Sequence, residues 1–251
     1  MTSTPLCATS SSRRLLSLAI LATIASTSLA DTTAAPPVAP APSAATAWDF
    51  TVMLDGDTVG SHRFEIAPDQ SGPQDLQVRS QAEFTVRFLG IPVYRYRHQA
   101  HENWRAGCLQ AIVARTDDDG KVTEIDAAAH GRKLRVVVRG ADDGRDSGAP
   151  SQAPDCAWSF AYWNPALSSQ RLLLDPGSGR FTAVRFEALP ERRIDVDGRP
   201  APVRGIRLLG TDAPIDLWYN GDRWVGLDTS VAGGRALSYR LKPIAKETSD
   251  E

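Results

Sequence analysis

Residues 76–89 constrain the fold most tightly. Leu76, Val78, Ser80, Ala82, Phe84, Val86 and Phe88 alternate with Gln77, Arg79, Gln81, Glu83, Thr85 and Arg87. On a helix this apolar set would scatter around the axis. On a strand it forms one covered face and one wet face, so the segment is a long antiparallel strand. Gly90-Ile91-Pro92 interrupts it, and residues 91–104 resume as a second long strand. Here Tyr94, Tyr96, His98, Ala100, Glu102 and Trp104 share one face, and Arg95, Arg97, Gln99, His101 and Asn103 share the other. Rings mixed with a histidine and a carboxylate suit the wall of a cavity or cleft better than a dry core.

The same two-residue period recurs along the chain. Residues 48–54 and 58–66 flank Asp55-Gly56-Asp57. A three-residue loop sets Leu54 against Thr58, Val52 against Gly60, Phe50 against His62 and Trp48 against Phe64. A two-residue loop would set Phe50 against Ser61 and Trp48 against Arg63, splitting that apolar face, so the three-residue loop is expected. Further strands are expected at 109–116, 121–127, 133–139 and 158–163, and again at 181–189, 192–196, 203–209, 215–219, 223–229 and 235–241. Asp197-Gly198 and Asn220-Gly221 mark hairpin turns. By analogy with the first hairpin, the second of these opposes Trp218 to Trp224 and Leu217 to Val225. Residues 140–155 read as an exposed loop, and Asn164-Pro165 as the cap and first position of a short helix reaching about residue 172. The fold class is therefore all-β: one bent antiparallel sheet forming a half-barrel or open barrel, with one short helix.

The chain has 251 residues, and its N-terminal end reads as an export leader. Residues 1–30 combine Arg13 and Arg14, an apolar run over 15–29 too short to span a bilayer, and Ser28-Leu29-Ala30 ahead of Asp31. The arginine pair fits a twin-arginine signal poorly, so ordinary secretion is expected, and Cys7 precedes the apolar run and is no lipidation site. A periplasmic or secreted protein with no transmembrane anchor after cleavage follows. Residues 31–47 are Ala/Pro-rich and read as a tether, residues 48–242 as the folded domain, and residues 243–251 as a flexible tail. Loss of the leader lowers Lys+Arg from 28 to 26 against 30 Asp+Glu, a formal charge of −4. That balance argues against nucleic acid and against an electrostatic grip on anionic lipid. Cys108 and Cys156 remain, and an even pair in an oxidising compartment reads as one disulfide.

Little in the sequence supports catalysis. His98 and His101 fall on opposite strand faces, and His98 and Glu102 lie about 13 Å apart along a strand, too far to share an ion. No serine occupies a nucleophile elbow, and Gly177-Ser178-Gly179 sits in a turn. The carboxylate-rich runs Asp117-Asp118-Asp119-Gly120 and Asp195-Val196-Asp197-Gly198 lack a calcium ladder and read as solvated turns. Neither metal nor cofactor is expected. An acid–base pair drawn from His62, His98 and Glu102 remains an open alternative. The candidate ligand-lining residues are Tyr94, Tyr96, His98, Glu102, Trp104, Trp158, Tyr162 and Trp218.

Tyr94-x-Tyr96-x-His98, Glu102-x-Trp104, Tyr162-Trp163-Asn164, Asp216-Leu217-Trp218-Tyr219 and Tyr239-x-Leu241, in that order, resemble an uncharacterised family of exported bacterial proteins, a domain of unknown function. Related exported families are similar to the lipoprotein-localisation-factor half-barrel, a sheet curled around a hydrophobic cavity. The resemblance implies a fold and assigns no catalytic residue. Three functions stay open: a non-catalytic carrier of a lipid or other apolar molecule, an envelope structural or interaction module with a packed cleft, and an enzyme using His98 and Glu102. The oligomeric state is left unspecified.

Overall fold

The structure is a computed structural model and describes residues 45–69, 72, 75–131, 133–140 and 154–243. The expected leader, nearly all of the tether, most of the exposed loop and most of the tail lie outside these residues. The strands are β1 (Thr46–Leu54), β2 (Asp57–Pro68), β3 (Leu76–Phe88), β4 (Ile91–Arg105), β5 (Cys108–Asp118), β6 (Lys121–His130), β7 (Lys133–Gly140), β8 (Leu172–Leu174), β9 (Phe181–Ala183), β10 (Arg185–Val196), β11 (Arg199–Leu209), β12 (Ile215–Asn220), β13 (Arg223–Val231) and β14 (Arg235–Leu241). All but β8 and β9 form one antiparallel sheet in the order β10-β11-β12-β13-β14-β1-β2-β3-β4-β5-β6-β7. The sheet is strongly bent and open. Its first and last strands by sequence meet in the middle, where Phe50 faces Leu241 and Leu54 faces Leu237. Its two edges, β7 and β10, are joined by the segment that includes residues 154–184.

That segment is a strap across the inner face. Its Ala157 carbonyl accepts from Leu109 N on β5, and its Tyr162 carbonyl accepts from the Tyr219 hydroxyl on β12. Trp158, Trp163, Leu167, Leu173 and Leu174 are buried in the same apolar cluster as Ile112 and Ile125 on one flank and Leu208 and Leu217 on the other. Hydrophobic burial thus bends the sheet, because only a curled sheet covers the strap from both sides. The seat is close at Gly179, where an added Cβ would come within 2.4 Å of Val138. Cys108 and Cys156 form a disulfide that fastens the start of β5 to the start of the strap.

The first hairpin keeps the expected register at Trp48–Phe64, Phe50–His62 and Val52–Gly60, by a different turn. Asp55-Gly56 is a two-residue loop with positive φ at both positions, Leu54 faces Asp57, and a bulge at Val59 supplies the extra residue. The same correction applies at Gly221-Asp222: Asn220 faces Arg223, Tyr219 faces Trp224, Trp218 faces Gly226 and Leu217 faces Leu227. Residues 158–163 are not a strand of the sheet. Trp158, Ala161 and Trp163 are buried in the strap, and the pairing of this stretch is an isolated parallel bridge, Ser159 to Leu174, beside the short antiparallel pair β8–β9. The helix shortens to a single 3₁₀ turn, Pro165–Ser169, with Asn164 Oδ1 accepting from Ala166 N at 3.0 Å. The two strands expected over 181–196 divide at Val184 instead, into β9 and the longer β10.

Candidate functional site

Between the inner face of the sheet and the strap lies a cavity of about 460 Å³. The sheet contributes His62 and Phe64 from β2, Ser80 from β3, Tyr96, His98 and Glu102 from β4, and Tyr239 from β14. The strap contributes Phe160, Tyr162 and Asp175. At one end the wall includes the exposed residues Gly210, Asp212 and Ser230, which form its mouth.

Of the residues singled out in the sequence, Tyr96, His98, Glu102 and Tyr162 converge on this cavity. Tyr94 lies further toward the end of β4, and its hydroxyl donates to Asp118 at 2.6 Å. Trp104 and Trp158 pack edge to face at 5.2 Å in the apolar layer under the strap. Trp218 belongs to the opposite side of the sheet from Tyr219. Its ring covers Gly205, where an added Cβ would meet it at 2.6 Å, and the Arg192 guanidinium lies 3.6 Å above it. Its Nε1 donates to Asp228 at 2.9 Å. Strand alternation put Trp218 on a single face, but β12 is buried on both, so burial there does not indicate the cavity.

Ser80, Asp175 and Tyr239 were not among the candidates. Ser80 belongs to the alternating apolar set, and it was the one polar member that could have drawn attention. Asp175 caps its own turn, accepting from Gly177 N at 2.8 Å and the Ser178 hydroxyl at 2.7 Å. Tyr239 belongs to the Tyr239-x-Leu241 signature, but nothing local places it in a site; it reaches the cavity because β14 pairs with β1.

His62, His98 and Glu102 in the wall each bond a neighbour. His62 Nε2 meets Ser80 Oγ at 2.7 Å, and its Nδ1 is buried with no hydrogen-bond partner among the described residues. His98 Nδ1 meets Thr116 Oγ1 at 2.8 Å, and Trp104 Nε1 donates to Glu102 at 2.8 Å. His62 and His98 both face Ala82, from the strands on either side of it. Their backbones are therefore about 10 Å apart, with Glu102 about 13 Å further along β4 from His98. No acid–base pair is formed. Burial drives His62 down to about 3, assisted by the nearby His98. Burial also lowers His98 and raises Glu102, the latter opposed by the bond from Trp104. Tyr96 is pushed up to about 12 by burial and by Asp175 and Asp118.

A pH dependence of stability follows. Native His62 and His98 resist protonation, whereas the unfolded chain takes up those protons below about pH 6.5. The unfolded state then binds more protons. Stability is intact above pH 6.5 and falls as the pH drops, for His62 down toward about 3 by up to about 1.4 kcal/mol per pH unit, with His98 acting in the same direction. Glu102 acts in the opposite sense: with its native value raised, it costs stability as the pH rises past 4.5. Denaturant titrations should therefore show His62→Gln reducing the loss between pH 7 and pH 4.5. Glu102→Gln, which keeps an acceptor for Trp104, should stabilise at neutral pH but not near pH 4.

Residues 50–242 match a family model described as a domain of unknown function, DUF6134. The chain belongs to that family. No curated protein matches it. Among solved structures, this DUF6134 protein is similar to the β-barrel-like protein of another domain of unknown function, DUF1849, from Brucella abortus. The TM-score is 0.50 at 13% identity, covering 79% of this chain and 95% of that one. At that identity the likeness concerns the fold alone.

Proposed function

We propose that this DUF6134 protein is exported and holds a small, mainly apolar molecule in the cavity without transforming it. The carrying observation is the composition of the wall. Six aromatic side chains, Phe64, Tyr96, Phe160, Tyr162, Trp163 and Tyr239, surround a space of about 460 Å³. The buried His62, His98 and Glu102 among them are biased toward their uncharged forms by burial. A volume of that size lies within the range of small-molecule sites, where rings supply affinity and a few fixed polar groups orient the occupant. An anionic molecule would lose hydration there without gaining a buried partner of opposite charge. A lipid or another apolar small molecule fits this wall, and the leader-like residues 1–30 support an envelope destination. The cavity itself favours binding over a cleft packed shut.

Native mass spectrometry of protein purified from its own envelope tests the reading. The expected result is a species heavier than the polypeptide, whose added mass leaves on extraction with organic solvent. Ala213→Trp, which places a ring at the cavity mouth, should lower the occupied fraction severalfold with little effect on melting. Only bare polypeptide, together with no saturable uptake of a fluorescent fatty acid or fatty alcohol, would sink the proposal.

A further inference from the structure

The β3–β4 hairpin departs from three other two-residue turns of the sheet, and carries a far larger apolar residue than the Ala106 of the β4–β5 turn. Asp55-Gly56, Asp119-Gly120 and Asp197-Gly198 are two-residue loops with positive φ at both positions, and Asp is among the residues that tolerate that conformation. In the β3–β4 loop the corresponding position is Leu89, with φ 50° and its side chain 87% exposed. A leucine there is unfavourable both for the backbone and for solvation. Phe88 at 67%, Ile91 at 66% and Val93 at 55% exposure surround it. Local strain combined with an exposed apolar cluster, where three comparable turns use Asp and a fourth uses the small Ala106, marks a surface kept for contact.

The tip also projects. Pairing of β3 with β2 ends at Gly60–Phe84, and pairing of β4 with β5 ends at Tyr96–Asp118, while β3 and β4 stay paired out to Phe88–Ile91. The ribbon therefore extends about four residues, or ~14 Å, past its neighbours. Four apolar side chains on a narrow ribbon offer far less than the roughly 800 Å² per partner of a stable protein interface. They suit insertion among lipids. Residues 85–97 carry Arg87, Arg95 and Arg97 and no carboxylate, a local positive charge on a chain of formal charge −2. Arg97 is partly engaged by Glu83 at 3.2 Å, and the acidic 117–119 turn lies at the ribbon's root, so apolar insertion dominates and charge assists.

The registers set this tip at the same end of the sheet as the cavity mouth. The β1–β2, β3–β4, β11–β12 and β13–β14 turns all lie there, and residues 210–213 of the β11–β12 turn line the mouth. The geometry points to the β3–β4 tip as a membrane-docking element that inserts Phe88, Leu89, Ile91 and Val93 into a bilayer with anionic headgroups. Docked this way, the end of the sheet that carries the cavity mouth faces the lipid. That consequence rests on the ligand-binding reading, whereas the docking itself does not.

Flotation of the purified protein with vesicles of phosphatidylcholine, with and without phosphatidylglycerol, tests it without any cavity ligand. The parent should float with both and more strongly with the anionic vesicles. Leu89→Asp, which restores the residue used in three other turns, should melt no lower than the parent yet bind vesicles about tenfold or more weakly. An environment-sensitive dye on Leu89→Cys should shift to shorter wavelength when vesicles are added. Equal flotation of parent and L89D, a dye that stays in water, or a lipid-free dimer abolished by L89D would each overturn the proposal, the last in favour of a second copy as occupant.

Discussion

Trp224→Ala should cost about 3–5 kcal/mol of unfolding free energy, the largest single-residue loss expected in this protein. Trp224 is fully buried and packs against Phe50 at 4.2 Å, Phe64 at 5.2 Å and Tyr162 at 5.7 Å. Its Nε1 donates to Gly226 O at 2.8 Å. It therefore ties β13 to the first hairpin and to the strap at once, three elements that local sequence does not connect. Truncation removes the transfer free energy of the indole and leaves a hole which the curled sheet cannot close without moving the strap. Urea unfolding followed by circular dichroism should show the lowered midpoint. Because Phe64 and Tyr162 also line the cavity, the variant should bind apolar dyes with altered affinity. A loss below 1 kcal/mol would mean that the strap does not depend on this contact.

Replacing both Cys108 and Cys156 by Ser should cost about 4 kcal/mol in the chain-entropy account, for a loop of 48 residues. The loss acts mainly through the unfolded chain, but its structural consequence is local. The bond holds the start of the strap beside β5, next to the Leu109–Ala157 backbone bond at 2.9 Å. Without it the strap should show faster amide exchange around residues 157–163 while β3 and β4 stay protected. Mass spectrometry with alkylation before and after reduction checks the bond, and thermal melts of the parent with and without reductant should reproduce the variant's loss.

The strands and their faces were legible because both are properties of neighbouring residues. Alternation over 76–88 and 91–105 is a period of two, and the burial follows it over Leu76–Phe84 and His98–Trp104 but not at the β3–β4 tip, where Phe88 of the expected covered face is exposed. The Phe50–His62 register was legible for the same reason, since one apolar face must be kept whole, although a bulge rather than a longer turn achieves it. The aromatic content of 158–163 misled, because rings suit a strap buried against a sheet as well as a strand within it.

Sequence alone determined an all-β chain, its longest strands, which side of each is covered, and two cysteines able to bridge. Tertiary structure decided that β14 and β1 are neighbours, that a strap crosses the inner face, and that Ser80, Asp175 and Tyr239 join His62, His98 and Glu102 around one space. It also decided that the β3–β4 tip stands clear of its neighbours. Side-chain alternation is fixed by backbone geometry within a few residues. Which distant strands pair, and what they enclose, is fixed only when the sheet curls to bury its apolar face, a global condition with no local signal.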